Sequence, residues 1–347
     1  MPFDAHPAEA PGETPASDLD GDPPLISVIV PTFHRPDGAW DAVRSVFAQT
    51  GAPAFEVLLV DNDKAGTASE TARRLAALAP VPFRYTVEPQ AGVANARNTA
   101  VGLARGSYVA FLDDDEVATP GWLASLMRAH QATGADVVFG PIEAVLGAGA
   151  AEPRGYFQDF FSRRMAGPDQ LIDKPWGCGN SLLVKATALP GPRPFDASTN
   201  ETGGEDDVLF EGLRARGGTF GWSHDALVHE IVPDSRASWA YMTKRAFAFG
   251  HNTTARWFSG EEASWVKGIA SMLRGTAQVL AMAPVAAVLW VLRHPRRAWA
   301  WDKALRGLGK LLWFGPFKMA FYGQSEARRV ERRRAQRRKQ ADRRASA

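Results

Sequence analysis

The sequence predicts an α/β fold, a mostly parallel sheet flanked by helices, and three observations carry that expectation. Between residues 25 and 113, short β-branched apolar runs alternate with amphipathic helical segments in the order β-α-β-α-β-α-β. Three of these four runs stop at polar residues: Thr32, Asp61 with Asn62, and Asp113 to Asp115. After residue 233 the pattern becomes helical and rich in Trp and Phe, so a second region of different character follows the sheet.

The elements can be justified in order. "LISVIVPTF" and "FEVLLVDND" are continuous apolar runs and read as strands buried on both faces. Between them, "GAWDAVRSVFAQT" places Trp40, Val43, Val46 and Phe47 at helical spacing. "TASETARRLAALA" puts Ala72, Leu75, Ala76 and Ala79 on one helical face. "FRYTVE" is a third strand, "VANARNTAVGLAR" a third helix stopped by Gly106, and "SYVAFLDD" a fourth strand. Further on, "ADVVFGPIEAVL" and "CGNSLLVK" read as strands. "GEDDVLFEGLRARG" reads as a short helix with Val208, Leu209 and Leu213 inward and Gly217 as its stop. "GTFGWSHDALVHEIV" returns as strand and loop. The organisation expected is an acidic disordered segment at 1–24, the sheet domain at 25–232, a helical Trp-rich region at 233–325 and an Arg-rich tail at 326–347.

Charge is distributed unevenly. The net charge is +2 over 347 residues. Residues 1–24 nevertheless carry six acids and no Lys or Arg, while 326–347 carry nine Arg and one Lys against three acids. The single cysteine, Cys178, excludes an internal disulfide and a cysteine-rich zinc site. The N-terminus has neither the basic stretch nor the apolar core of a secretory signal, so none is expected there.

The chemistry concentrates at "YVAFLDDDEVATPGWL", where Asp113, Asp114, Asp115 and Glu116 follow a buried strand. Adjacent carboxylates repel, and a cation or solvent must relieve them. A solvated acidic turn is one reading. An EF-hand is excluded by the missing central Gly and distal Glu. The third reading is Mg²⁺ or Mn²⁺ held by one or two carboxylates, with a substrate diphosphate completing the shell. The Asp113-x-Asp115 alternation at the mouth of a parallel sheet fits that reading, because ligands of such sheets bind at strand carboxyl ends.

Five segments in order, "SVIVPTFHRPD", "FEVLLVDND", "GVANARNTA", "YVAFLDDDEVATPGWL" and "GGEDDVLFEGLRARG", resemble glycosyltransferase family 2, whose fold is the Rossmann-like GT-A. The resemblance covers residues 25–232. It implies that Pro31, Thr32 and Phe33 lie beside the nucleotide base, that Asp61 binds the base, and that Arg97, with Asn98 beside it, contacts the nucleotide. The family's DxD-type motif falls on Asp113, Asp114 and Asp115. Asp115 is then the direct metal ligand, and Asp113 or Asp114 holds the ribose or joins the metal; Glu116 stays unassigned. The family's "ED" motif falls on Glu205-Asp206, with Asp206 as the base. Trp176, Gly177, Gly179 and Asn180, with Glu205, line the donor and acceptor pocket, and Cys178 is a small packed residue. Two readings of His229 stand, a structural histidine or a late addition to the metal shell. His34 flanks the nucleotide without a catalytic part. Asp207 is the acid expected to cap its helix.

An acceptor hydroxyl is a poor nucleophile until a carboxylate takes its proton. A divalent metal offsets the charge of a departing diphosphate. One carboxylate base without a second carboxylate nucleophile suits an in-line displacement that inverts the anomeric carbon. The expected activity is therefore transfer from a nucleotide-diphosphate sugar, UDP-linked, to a hydroxyl of a glycan or lipid-linked acceptor in polysaccharide or cell-envelope biosynthesis, and the family's exopolysaccharide members are the ones the C-terminal region is similar to. Two rivals are a sugar-nucleotide nucleotidyltransferase and a non-catalytic, membrane-bound nucleotide-sugar-binding protein. The first expects a Gly- and basic-rich phosphate loop after the first strand, which "PTFHRPDGAW" is not. The second expects a lost base or metal motif, and both are present.

Residues 275–292 are uncharged, flanked by Arg274 and Arg293, with Pro284 in the middle. Eighteen such residues just suffice to cross a hydrocarbon core of roughly 30 Å. Trp290, Trp299, Trp301 and Trp313 suit a membrane–water interface. The Arg-rich tail lacks the interleaved aromatics of a nucleic-acid binder, and nucleic acid is not an expected partner. Residues 265–345 are expected to dock on an anionic membrane surface, at the cytoplasmic face of the inner membrane, as a peripheral or single-span attachment.

Overall fold

The computed structural model describes residues 25–201, 203–258 and 263–317. The acidic segment 1–24 and the Arg-rich tail 326–347 lie outside them. The chain divides into two compact units, one holding residues up to 142 and 164–229, the other 143–163 and 230–320. The segment 143–163, expected within the sheet domain, thus groups with the C-terminal helices.

The first unit is built on β1 (Ile26–Thr32), α1 (Pro36–Phe47), β2 (Phe55–Asp61), α2 (Ser69–Ala76), β3 (Phe83–Val87), α3 (Val93–Leu103) and β4 (Tyr108–Phe111). There follow β5 (Glu116–Ala118), α4 (Trp122–Thr133) and β6 (Val137–Phe139). In the second unit β7 (Ile142–Leu146) and α5 (Arg154–Phe161) come next. The chain then returns through β8 (Gln170–Ile172), β9 (Ser181–Val184), α6 (Lys185–Ala188), α7 (Glu205–Ala215), β10 (Phe220–Trp222) and β11 (Val228–Val232).

The main sheet has the order β3-β2-β1-β4-β9-β6-β10-β8. Pairs β2–β3, β1–β2, β1–β4 and β6–β10 are parallel, while β9 and β8 run antiparallel to their neighbours. Every residue of β1 and β2 is buried, as their unbroken apolar runs demand. The side chains alternate. Ile26, Val28 and Val30 pack with Val43, Val46, Leu75 and Trp122 on one face, whereas Ile29 packs with Ala100, Phe111 and Phe210 on the other. The order 3-2-1-4 reverses direction at β1. The crevice of the sheet therefore opens between the carboxyl ends of β1 and β4, where Thr32 and the Asp113–Asp115 run emerge.

Three local expectations need correction. The run 135–146 is two strands rather than one, broken at Gly140-Pro141, because a side chain on Gly140 would sit 2.2 Å from the Ala226 carbonyl oxygen. In α7 the inward face is Leu209, Phe210 and Leu213, while Val208 is 48% exposed, since the helix begins at Glu205 and so sets a different register. Helix α3 ends at Leu103, and Gly106 instead lies against the Ile26–Ser27 backbone.

The second unit is dominated by α8 (Trp239–Ala255), α9 (Trp265–Val291) and α10 (Arg297–Leu311). Ser238 and Ser264 cap the first two, each side chain accepting from the backbone N–H three residues on. Glycines let α10 touch its neighbours backbone to backbone. A Cβ on Gly309 would lie 2.1 Å from the Phe247 carbonyl oxygen, and one on Gly307 2.9 Å from that of Gly275. Pro284 is carried inside α9.

Candidate active site

Asp114 turns inward. Its carboxylate accepts from the Thr32 hydroxyl at 2.8 Å, from the Phe33 N–H at 3.4 Å and from Arg35 Nη1 at 2.9 Å. It thereby ties β4 to β1 across the crevice. Burial pushes its carboxyl up to about 6, although Arg35 works in the other direction. The same Arg35 Nη1 donates to Asp115 Oδ2 at 2.8 Å. Arg35 is a further residue of this crevice that no sequence motif marks; its place three residues after the end of β1 is the local signal. Pro31 is buried in β1, and His34 pairs with Asp63 at 3.0 Å with its ring against Phe33.

Asp113 faces the other way. Its backbone N–H donates to Glu116 Oε2 at 3.0 Å, and its Oδ1 accepts from Arg97 Nη2 at 3.3 Å. Arg97 is buried, lies beside the Phe111 and Phe195 rings, and also donates to Glu205 at the start of α7. One guanidinium thus joins α3, the aspartate run and α7. Asn98, next to it, exchanges hydrogen bonds with the Phe195 backbone at 2.8 and 2.9 Å, which makes it a fixture of the loop before α7.

Asp206 lies beside the 176–180 segment. Its Oδ2 accepts from the Cys178 N–H at 3.2 Å and its Oδ1 from the Asp207 N–H at 2.9 Å. The two glycines of this segment are required. A Cβ on Gly177 would stand 2.9 Å from Asp206 Oδ2, and one on Gly179 would stand 2.7 Å from Asp113 Oδ2 and 3.1 Å from Glu116 Oε1. A bare backbone therefore passes between Asp206 on one side and Asp113 with Glu116 on the other. The Cys178 side chain packs into the core beneath.

Trp176 is 40% exposed, 6.3 Å from the Trp222 ring. Asn180, expected in the donor and acceptor pocket, is instead wholly buried. Its side-chain oxygen accepts from Trp122 Nε1 at 2.7 Å, and its amide donates to the Pro141 and Ala226 carbonyls at 2.7 and 2.9 Å. With every polar atom of the side chain engaged and φ at +53°, it clamps three segments together. Asp61, expected at the base, is also wholly buried. It accepts from the Asp63 N–H at 3.1 Å, the Ala68 N–H at 2.7 Å and the Tyr85 hydroxyl at 3.1 Å, and so shapes the loop after β2. Burial raises its carboxyl above the ordinary range against those donors. His229 lies half-buried on β11.

Electrostatics sum these contacts. Six acids, Asp113, Asp114, Asp115, Glu116, Glu205 and Asp206, lie in this region with two guanidiniums, Arg35 and Arg97, so acids outnumber bases there. Hard oxygen donors with acids in surplus suit Mg²⁺ or Mn²⁺. Among the described residues no three His, Cys, Asp or Glu side chains converge as a full metal shell, His229 included.

Comparison with known proteins gives the family of the chain. A family model described as glycosyl transferase family 2 matches residues 27–186. The succinoglycan biosynthesis protein ExoM of Rhizobium meliloti is 35% identical over 228 residues, covering 65% of this chain and 72% of that one. Validoxylamine A glucosyltransferase of Streptomyces hygroscopicus subsp. limoneus is 32% identical over 246 residues, 62% of this chain and 52% of that one. Among solved structures, a mannosyltransferase from Pyrobaculum calidifontis in complex with GDP-Man and Mn²⁺ superposes with a TM-score of 0.55 at 20% identity, over 86% of this chain and 91% of that one. The last likeness establishes the GT-A fold.

Proposed function

We propose, from the fact that this chain belongs to glycosyltransferase family 2, that it is an inverting enzyme moving a sugar from a nucleotide diphosphate, UDP-linked, to a hydroxyl of a glycan or lipid-linked acceptor in polysaccharide assembly. As a glycosyltransferase it is not a nucleotidyltransferase. The observation that carries the proposal is the placement of Asp206 and Asp113 on opposite sides of the bare Gly177–Gly179 backbone. One carboxylate can serve the acceptor while the aspartate run serves the leaving group.

Asp206 takes the proton of the acceptor hydroxyl. The freed oxygen attacks the anomeric carbon, the new C–O bond forms, and the bond to phosphate breaks with its electron pair on the departing nucleoside diphosphate. The two N–H groups on Asp206 hold its oxygens in place for that transfer. Thr32 and Phe33, at the end of β1, flank the nucleotide with Pro31 behind them. Asp115, with Asp113, would hold Mg²⁺ or Mn²⁺, whereas Asp114 is engaged by Thr32, Phe33 and Arg35. The cation, when bound, offsets negative charge on the diphosphate. Arg97 orients Asp113 and Glu205. Trp176, Gly179 and Glu205 border the sugar, and Asp61 supports the base through the loop it shapes.

The test is a metal-dependent assay of donor hydrolysis and transfer. Asp115→Ala abolishes metal-dependent turnover. Asp206→Asn loses turnover and keeps donor binding; near-wild-type transfer by Asp206→Asn refutes the base assignment.

The same proposal places the enzyme on the cytoplasmic face of the inner membrane. Helix α9 has 27 residues, a mean hydropathy of 1.5 over its most apolar window, and only 11% of that window buried. Its length of about 40 Å exceeds a hydrocarbon core. Arg293, Arg296 and Arg297 follow its end, each adding about 1 kcal/mol of attraction to an anionic surface. Retention of the full chain in the supernatant, with no flotation alongside anionic vesicles at low salt, would refute this.

A further inference from the structure

The second unit holds a cavity of about 610 Å³ that the transfer reaction does not use. That size lies within the range of ligand pockets. Its walls come from α5 and the start of α10. Tyr156 and Phe160 supply aromatic rings on one side, and Trp299, 46% exposed, supplies a larger one.

The polar groups are balanced. Asp302 is only 4% exposed, and both of its oxygens accept from Arg306 Nε at 2.9 Å. The Nη groups of Arg306 make no hydrogen bond to another described residue, and its guanidinium lies 4.6 Å from the Phe249 ring centre. Arg296 and Asp159 stand exposed at the rim. Two acids and two bases leave the lining neutral. The Tyr156 hydroxyl is buried and faces the Asp302 carboxylate; burial first, then the charge and hydrogen bonding of Asp302, raise it above its ordinary value. With its proton directed at Asp302, the phenolic oxygen keeps its acceptor lone pairs for a ligand or water donor.

This combination selects a chemical class. A purely apolar ligand would leave the Tyr156 oxygen and the Arg306 Nη donors unsatisfied. A strong anion would meet Asp302 and Asp159 as well as the arginines. A neutral polyol with one apolar face satisfies all of them. The C–H face of a pyranose ring lies on an aromatic ring, whose face is negative, while its hydroxyls accept from Arg and donate to Asp and to the Tyr156 oxygen. We propose that this cavity is a carbohydrate-binding subsite in the helical unit, which holds a neutral sugar of the acceptor glycan by stacking on Trp299 and hydrogen bonds to Tyr156, Asp159, Arg296 and Arg306. The inference rests on the glycosyltransferase reading for its ligand but uses none of the catalytic residues.

The test uses the full chain and defined probes: methyl β-glucopyranoside, methyl β-galactopyranoside, methyl α-mannopyranoside, and the disaccharides cellobiose and lactose. Binding is read by saturation-transfer NMR and by tryptophan fluorescence. At least one probe saturates the wild type. Trp299→Ala weakens it by about tenfold or more, equivalent to 1.4 kcal/mol, and Tyr156→Phe weakens it by several-fold. Donor hydrolysis and melting temperature stay unchanged in Trp299→Ala. Asp206→Asn keeps saccharide binding while losing turnover, so failure of either assignment is seen separately. The proposal is overturned if no probe binds the wild type, if Trp299→Ala binds as well as the wild type, or if anionic phospholipid vesicles protect Trp299 while saccharides do not.

Discussion

The crevice of the sheet unit and the outer face of α9 depart from ordinary protein design in opposite directions. At the crevice the chain gathers six acids against two guanidiniums, several of them buried. On α9 it leaves Val266, Leu280 and Val291 more than 70% exposed, although each would gain about 1.5–3 kcal/mol by burial. Both arrangements cost free energy that a partner of matching chemistry would offset. The first lacks positive charge and the second lacks an apolar surrounding. Under the proposed function each excess is a negative image of the partner assigned to it, a cation with a diphosphate in one case and lipid in the other.

Substitutions can break this contrast. The largest effect is expected at Asp206→Asn, which lowers transfer by roughly a thousandfold, the contribution of a positioned base, while equilibrium binding of the donor persists. Arg97→Met strands Asp113 and Glu205 without their cation. Urea unfolding should show a loss of about 3–5 kcal/mol, part of which Arg97→Met with Glu205→Gln recovers. An unrecovered double variant would mean that Arg97 acts through packing on Phe111 and Phe195. In α9, Leu280→Arg with Val291→Arg should shift stability in solution by less than about 0.5 kcal/mol each, since both side chains already face outward, yet abolish flotation with vesicles. Gly179→Ala pushes on Asp113 and Glu116 and is expected to lower turnover by tenfold or more, as small misplacements do, with little change in melting temperature.

The smallest effect is a pH slope. The Asp61 carboxyl is raised above its ordinary 3.8, burial being the chief cause. Its contribution to stability is complete below that value and is lost as pH rises through the elevated one. Wild type should therefore lose stability relative to Asp61→Asn as pH is raised from 3.5 to 7, on top of a constant offset for lost hydrogen bonds. Parallel unfolding curves for the two proteins would sink this reading.

What could be read from the sequence follows the range of the interactions. β1 and β2 were legible because a strand covered on both faces needs an unbroken apolar run, and the polar residues at their ends marked the crevice. The Arg97–Glu205 pair spans 108 positions, so only the fold brings it together. No sequence motif marks Arg35, whose partners arrive with β4 beside β1. The family resemblance alone puts Asn180 in the pocket. Its partners, Trp122, Pro141 and Ala226, come from separate segments that no local pattern links. Residues 143–163 carry strand and helix patterns that give no hint of which compact unit they join.

Cys178 stands within the catalytic segment and donates its N–H to the proposed base, yet its side chain is fully buried. Burial pushes the thiol well above its ordinary value. The thiolate is the form that oxidants and alkylating reagents attack. Peroxide or a maleimide is therefore expected to leave the folded protein unmodified at its only cysteine, which mass spectrometry of the treated native chain would check. Any single cysteine introduced on its surface would be the sole site such reagents find.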